Sequence, residues 1–256
     1  MPYLTRPDGV RLYHEAHGEG SVLLLLEGMG GDVPGWRRNV PTLATRHRVV
    51  VYDHRGNGRS DAPDEPMTMA TFVEDAVAVL EENGAERAHA YGQSFGGMVA
   101  QELALSHPAR TRSLVLACTH AGPARADRAT ARAPTSRPYE LLYSERFARQ
   151  HPEHVAEDLR IGSANPQKRH AGRRQWEAIQ VWDAWDRVSA IRCPTLVLHG
   201  SEDRLVPVEN ARRLTALIPG ARLVLLEGAG HVYHSEQPEA ADEAVLSFID
   251  GVDGGT

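Results

Sequence analysis

The chain has 256 residues, 41% of them hydrophobic and 24% charged, with a formal net charge of −6. This length and composition suit one large soluble α/β domain with a sizeable core, and the acidic balance gives no electrostatic reason to expect a nucleic-acid partner. Two cysteines, Cys118 and Cys193, are too few for a disulfide framework and read as packed free thiols.

Taken in chain order, "MPYLTRPDGVRLYHEAHG" lacks a basic start followed by an apolar stretch. No signal peptide is read there, and cytoplasm is the expected location. The segment reads instead as two short strands turning at Pro7-Asp8-Gly9. The aliphatic run Val22 to Leu26 is far too short to span a bilayer, so no membrane role is expected. Ending in glycine, it reads as a strand buried on both faces of a parallel sheet. Residues 47–53, 87–94, 113–119, 194–201 and 221–228 share its character. Helical patterns alternate with them at 69–82, where Gly84 is placed as the stop, at 95–106 with Pro108 just beyond, and at 208–218 and 237–249. Such alternation implies a mostly parallel sheet with helices on both faces.

One stretch breaks the rhythm. From 121 to 187 there is no buried-strand run, only an Ala-, Arg- and Pro-rich opening, "AGPARADRATARAPTSRP", and then two or three amphipathic segments. It reads as a helical cap inserted after the sixth strand and entered through a mobile segment. Residues 1–120 and 188–256 form the core, the whole being one structural unit. Within 121–174 eleven Lys and Arg face six Asp and Glu, in a chain that is acidic overall. Most of these charges read as a solvated face; one or two arginines are candidates to receive an anionic substrate group. Trp176, Trp182 and Trp185 read mainly as cap packing, with some room for a pocket wall.

The chemistry concentrates at "AHAYGQSFGGMVAQELA", residues 88–104. A serine hydroxyl needs a base, a group that orients the base, and N–H donors for the oxyanion it creates. Gly92-Gln93-Ser94-Phe95-Gly96 lies between a buried strand and a helix, the setting of a nucleophile elbow. A helix-capping serine would leave both glycines unexplained. The elbow points the Phe95 N–H, at the helix start, toward developing negative charge.

On these residues the chain resembles an α/β-hydrolase of the serine-nucleophile branch, similar to enol-lactonase-like hydrolases and the cofactor-free perhydrolase group. The resemblance covers nearly everything outside the cap, including "YDHRGNGRSD" at 52–61. It implies a triad ordered Ser, acid, His: Ser94, Asp203 in "LVLHGSEDRLVP", and His231 in "LLEGAGHVYHSEQPE". Glu202 and His234 are the local rivals; the family position of Asp203 and the Gly228-Ala229-Gly230 stretch before His231 favour the assigned pair. By the same analogy the second oxyanion donor is the N–H of Met29. Two residues depart from the family pattern, Glu27 and Gln93, where histidine is usual. Glu27 is expected to accept backbone N–H groups of its own loop.

The implied activity is cleavage of a carboxylic ester or lactone through an acyl-enzyme. A C–C bond hydrolase of a β-diketone-like substrate, using the same triad, is the enzymatic alternative, and a non-catalytic small-molecule receptor is the alternative of another class. No cofactor or metal is expected. "GMGGDV" has Val33 where a dinucleotide fingerprint needs its third glycine, and His231 with His234 lacks accompanying ligands.

Overall fold

A computed structural model describes residues 2–128 and 141–255. Eight strands form one sheet, β1 (Tyr3–Thr5), β2 (Arg11–His17), β3 (Val22–Leu26), β4 (Arg48–Tyr52), β5 (Ala88–Gln93), β6 (Thr111–Ala117), β7 (Thr195–Gly200) and β8 (Arg222–Leu226). Their spatial order is β1-β2-β4-β3-β5-β6-β7-β8. The N-terminal hairpin joins the sheet antiparallel, through β2 on β4, and every other pairing is parallel. The strands expected from aliphatic runs are present; β3 matches its run, β6 is displaced from its run toward the N-terminus, and the others are each shorter by a residue or more where the chain turns away.

The continuous runs have a simple cause. Strand β3 lies between β4 and β5, and Leu23 to Leu26 are all fully buried, so neither face can alternate with polar residues. On one side α2 (Met69–Glu82) and α3 (Phe95–Ser106) pack with α7 (Val208–Leu217) against the sheet. The other side is covered by α1 (Val40–Leu43) and α9 (Pro238–Asp253). Helix α2 starts at a capping box: the Thr68 hydroxyl accepts the Thr71 N–H while the Thr71 hydroxyl accepts the Thr68 N–H. It stops before Gly84, whose φ of +66° is open to glycine at no steric cost.

Between β6 and β7 lie α4 (Glu145–Gln150), α5 (Pro152–Gly162) and α6 (Arg169–Val181). The part of the expected mobile entry that spans 129–140 lies outside the described residues. Trp182 and Trp185, just after α6, are buried in the main core, with their indole N–H groups donating to Glu102 Oε2 at 2.7 Å and to the Gly122 carbonyl at 2.9 Å. A short helix, α8 (Tyr233–Glu236), precedes α9. Both cysteines are free thiols. Among the described residues no helix is long and apolar enough to cross a membrane.

Candidate active site

Ser94 joins β5 to α3 at φ +54° and ψ −115°, a strained backbone for a residue with a side chain. The flanking glycines are sterically required. A Cβ on Gly92 would lie 2.2 Å from the Gly96 carbonyl oxygen, and one on Gly96 would lie 2.0 Å from that of Leu26. The turn is pinned by the Ser94 N–H donating to the Ala117 carbonyl at 2.8 Å and by the Thr119 hydroxyl donating to the Ser94 carbonyl at 2.7 Å. The Ser94 side chain does not cap α3, and its hydroxyl has no hydrogen-bond partner among the described residues. The same holds for the N–H groups of Phe95 and Met29.

Asp203 and His231 sit beyond the carboxyl ends of β7 and β8. His231 Nδ1 lies 2.8 Å from Asp203 Oδ2, and Asp203 Oδ1 accepts the N–H groups of Leu205 and Val206, each at 2.8 Å. Burial would raise the Asp203 carboxyl, but the charge available at His231 and hydrogen bonds from His199 and His231 outweigh it and hold the group well below the ordinary range. The rivals are placed elsewhere. Glu202 is exposed, and His234 is buried against Trp36, where burial lowers it to about 4.

Ser94 and His231 line one cavity of about 520 Å³, together with Glu27, Met29, Gln93, Phe95 and His120. Trp176, Ile179 and Gln180 of α6 and Leu142 close it from the side of the inserted segment. Ser94 and His231 are not hydrogen-bonded to one another in this structure, so the cavity wall, not a direct bond, is what they share.

Sequence reasoning did not find several supporting residues. The Gln93 amide donates to the His231 carbonyl at 3.2 Å, tying the serine turn to the histidine loop. Glu236 binds that loop to the inserted segment, its Oε1 accepting N–H groups from Gly230 and Ser144 at 2.9 Å and its Oε2 the Ser144 hydroxyl. His120 is held neutral, lowered to about 4 by burial and then by His231, while its Nδ1 accepts the Gly122 N–H. Each of these pairings depends on contacts that no local motif encodes, Gln93 being flagged in the sequence only as a departure from the family pattern. Asp53, inside the recognised 52–61 turn, fixes the loop after β3 by accepting the Val33 N–H at 2.6 Å and the Arg59 N–H at 2.7 Å.

Glu27 accepts the N–H of Gly28 at 2.9 Å on Oε1, and Oε2 has no partner. The expectation of several loop N–H groups on this carboxyl therefore holds for one of them. Cys118, His199 and Asp203 bring one donor atom each within 4.8 Å of one another. Those donors are already engaged: Asp203 as described, His199 Nε2 at 2.9 Å from the Val206 carbonyl, and Cys118 Sγ donating to the Gly230 carbonyl at 4.0 Å.

A strained serine between strand and helix, with an Asp–His pair on later loops at the same sheet edge, defines the α/β-hydrolase class. Residues 21–238 match the α/β hydrolase fold family, and the chain belongs to it. The chain is 34% identical to RutD of Azorhizobium caulinodans, a protein named for carbamate hydrolysis, across 99% of this chain and 100% of that one. Among solved structures, a hydrolase from Pseudomonas aeruginosa PA01 superposes with a TM-score of 0.86 at 31% identity, covering 96% of this chain and 97% of that one. Est816, described as an N-acyl homoserine lactone degrading enzyme, gives 0.82 at 30% identity over 96% of this chain and 100% of its own.

Proposed function

We propose that this protein is a serine hydrolase that cleaves a carboxylic ester or lactone through an acyl-enzyme on Ser94. What carries the reading is the 2.8 Å pairing of His231 Nδ1 with Asp203 Oδ2 beside a cavity whose wall includes Ser94. With the proton held on Nδ1 by Asp203, His231 Nε2 is the free base. Ser94 Oγ attacks the acyl carbon as its proton passes to Nε2. The carbonyl oxygen takes up negative charge facing the Met29 and Phe95 N–H groups, and collapse expels the alcohol, which takes that proton from His231. Water repeats the sequence on the acyl-enzyme and restores Ser94.

In this reading residues 121–187 are the cap over the cavity, and the substrate is a small molecule. Most described cap arginines near the core are already paired: Arg125 with Asp183 and Asp186, and Arg173 and Arg174 with Asp64. Arg128 lines an annex that shares His120, Trp176 and Leu205 with the main cavity, and its neighbour Asp127 is engaged by Arg213. Arg128 is thus our candidate for an anionic substrate group. A carbamate is the second reading, supported by the full-length likeness to RutD; it needs the same attack on a carbonyl carbon.

Mass spectrometry after fluorophosphonate treatment, together with steady turnover of p-nitrophenyl esters, tests the proposal. One label on Ser94 and turnover abolished by Ser94→Ala are the expected results. Turnover that survives Ser94→Ala, or labelling with no turnover of any ester, lactone or carbamate, rejects it.

A further inference from the structure

Glu27 is a buried acid on the cavity wall that the proposed chemistry leaves unused. It follows β3 directly and stands two residues before Met29. Its surroundings are built for an uncharged group. Oε1 accepts the Gly28 N–H, Oε2 has no partner, and among the described residues no cation pairs with it. The loop closes tightly on the side chain: a Cβ at Gly31 would lie 2.4 Å from Glu27 Cγ, and one at Gly35 would lie 2.8 Å from Oε2.

The titratable groups around it add no compensating positive charge. Asp32 from its own loop and Asp53 from the loop after β4 are both acidic neighbours. Tyr91 on β5 is buried and neutral, itself pushed up by burial and further by Glu27 among others. His54 is buried and lowered to about 4, so it too is neutral at pH 7. The Arg59 guanidinium is directed to Glu15 at 3.1 Å and lies 3.8 Å from Asp53, while His231 stands on the cavity wall bound to Asp203.

We propose that Glu27 is a positioning residue that braces the oxyanion loop as a neutral carboxylic acid, and that its ionisation sets the alkaline limit of hydrolysis. The inference rests on the reading of Met29 and Phe95 as oxyanion donors. Burial, and then the charges of Asp32 and Asp53, push the carboxyl up to about 8, so it holds its proton at pH 7 and releases it as pH rises. A neutral acid bonds the Gly28 N–H without opposing the oxyanion. A carboxylate there sets a negative charge near the one the transition state develops, in a site largely screened from water, and costs rate.

The test is the pH profile of kcat for p-nitrophenyl acetate between about pH 6 and 10, with Ser94 labelling followed in parallel. In the wild type kcat falls at least about tenfold with an apparent pKa near 8. Glu27→Gln, which is isosteric with the neutral acid, retains most of the rate at pH 7 and removes the alkaline fall, whereas Glu27→Ala lowers kcat at every pH. A flat wild-type profile, or the same fall in Glu27→Gln, overturns the proposal while leaving the Ser94 chemistry intact. No labelling and no turnover at pH 7 overturns both. Should Glu27→Gln fail to fold, carboxyl-carbon NMR of glutamate-labelled wild type decides: a resonance titrating near pH 8 supports the proposal, and none titrating above pH 7 overturns it.

Discussion

Replacing Asp203 by asparagine tests the site in a way that the geometry makes quantitative. In the native protein Oδ1 accepts the Leu205 and Val206 N–H groups, and Oδ2 faces His231 Nδ1. An asparagine has one acceptor oxygen and one NH2 group, so it cannot serve both sides as the carboxylate does. With the oxygen kept at the Oδ1 position, both amides are satisfied and the NH2 points at His231. The reversed orientation loses two buried hydrogen bonds, at about 1 kcal/mol each, and is populated only to about 3%. In the favoured orientation the NH2 donates to Nδ1, which forces the ring proton onto Nε2 and removes the base that would serve Ser94. Only the reversed orientation leaves Nε2 free, so the tautomer alone costs about 30-fold in kcat. Losing the carboxylate charge that stabilises the imidazolium carries the total beyond that, toward the roughly 10⁴-fold of the equivalent change in a serine protease. Ester turnover at pH 7, with a melting curve to show that the variant is folded, reads the effect. A folded variant that loses less than about tenfold would refute this reasoning.

Other substitutions separate the supports of the site. Gly96→Ala drives a methyl to 2.0 Å from the Leu26 carbonyl oxygen; backbone must move, and a cost of about 3 kcal/mol lowers Tm by about 6–12 °C. An unchanged melt would show that the elbow is looser than its packing implies. Trp185→Ala empties a buried core position and costs about 3–5 kcal/mol, whereas Trp176→Ala, at a residue 53% exposed, leaves Tm near wild type and raises KM for long-chain esters. Equal melting losses in the two would contradict that division. Asp158, on α5, bonds Ser235, Arg37 and the Tyr143 hydroxyl. Burial opposes its ionisation, but those bonds outweigh it and lower the group to about 2. Because this lies below the unfolded value of about 3.9, its contribution is full above about pH 4 and is lost as pH falls through about 2. After solvent screening it is worth about 1 kcal/mol, so Asp158→Asn lowers Tm by about 2–4 °C at pH 7 and by less at pH 3. A gap that stays constant between those pH values argues against the linkage.

Much of the fold is legible because its signals are local. Aliphatic runs with no polar alternation mark the inner strands, the end of α2 follows from Gly84, and the bounds of α3 follow from the Ser94 turn and Pro108. The short helices α1 and α8 were not legible. At four residues each, they fall below the length at which periodicity is visible, and packing around Trp36 and Tyr233 holds them. Residues 88–104 place Ser94 in the setting of an elbow from neighbours alone, since Gly92 and Gly96 answer steric demands of the turn and of the adjoining strand.

The sequence by itself thus determined the strand–helix alternation and the elbow setting of Ser94, and its family resemblance favoured Asp203 over Glu202 and His231 over His234. Tertiary structure set how these groups meet. It buried Asp203 against His231, set His234 against Trp36, and brought Gln93 to the His231 carbonyl across 138 residues of chain. It also decided the surroundings of Glu27, whose carboxyl is pushed up first by burial and then by Asp32 and Asp53, with no cation paired to it among the described residues. The physical reason is range: turns, caps and runs are set by contacts a few residues apart, whereas tautomer, burial and proton affinity are set by groups that meet only after the chain has folded.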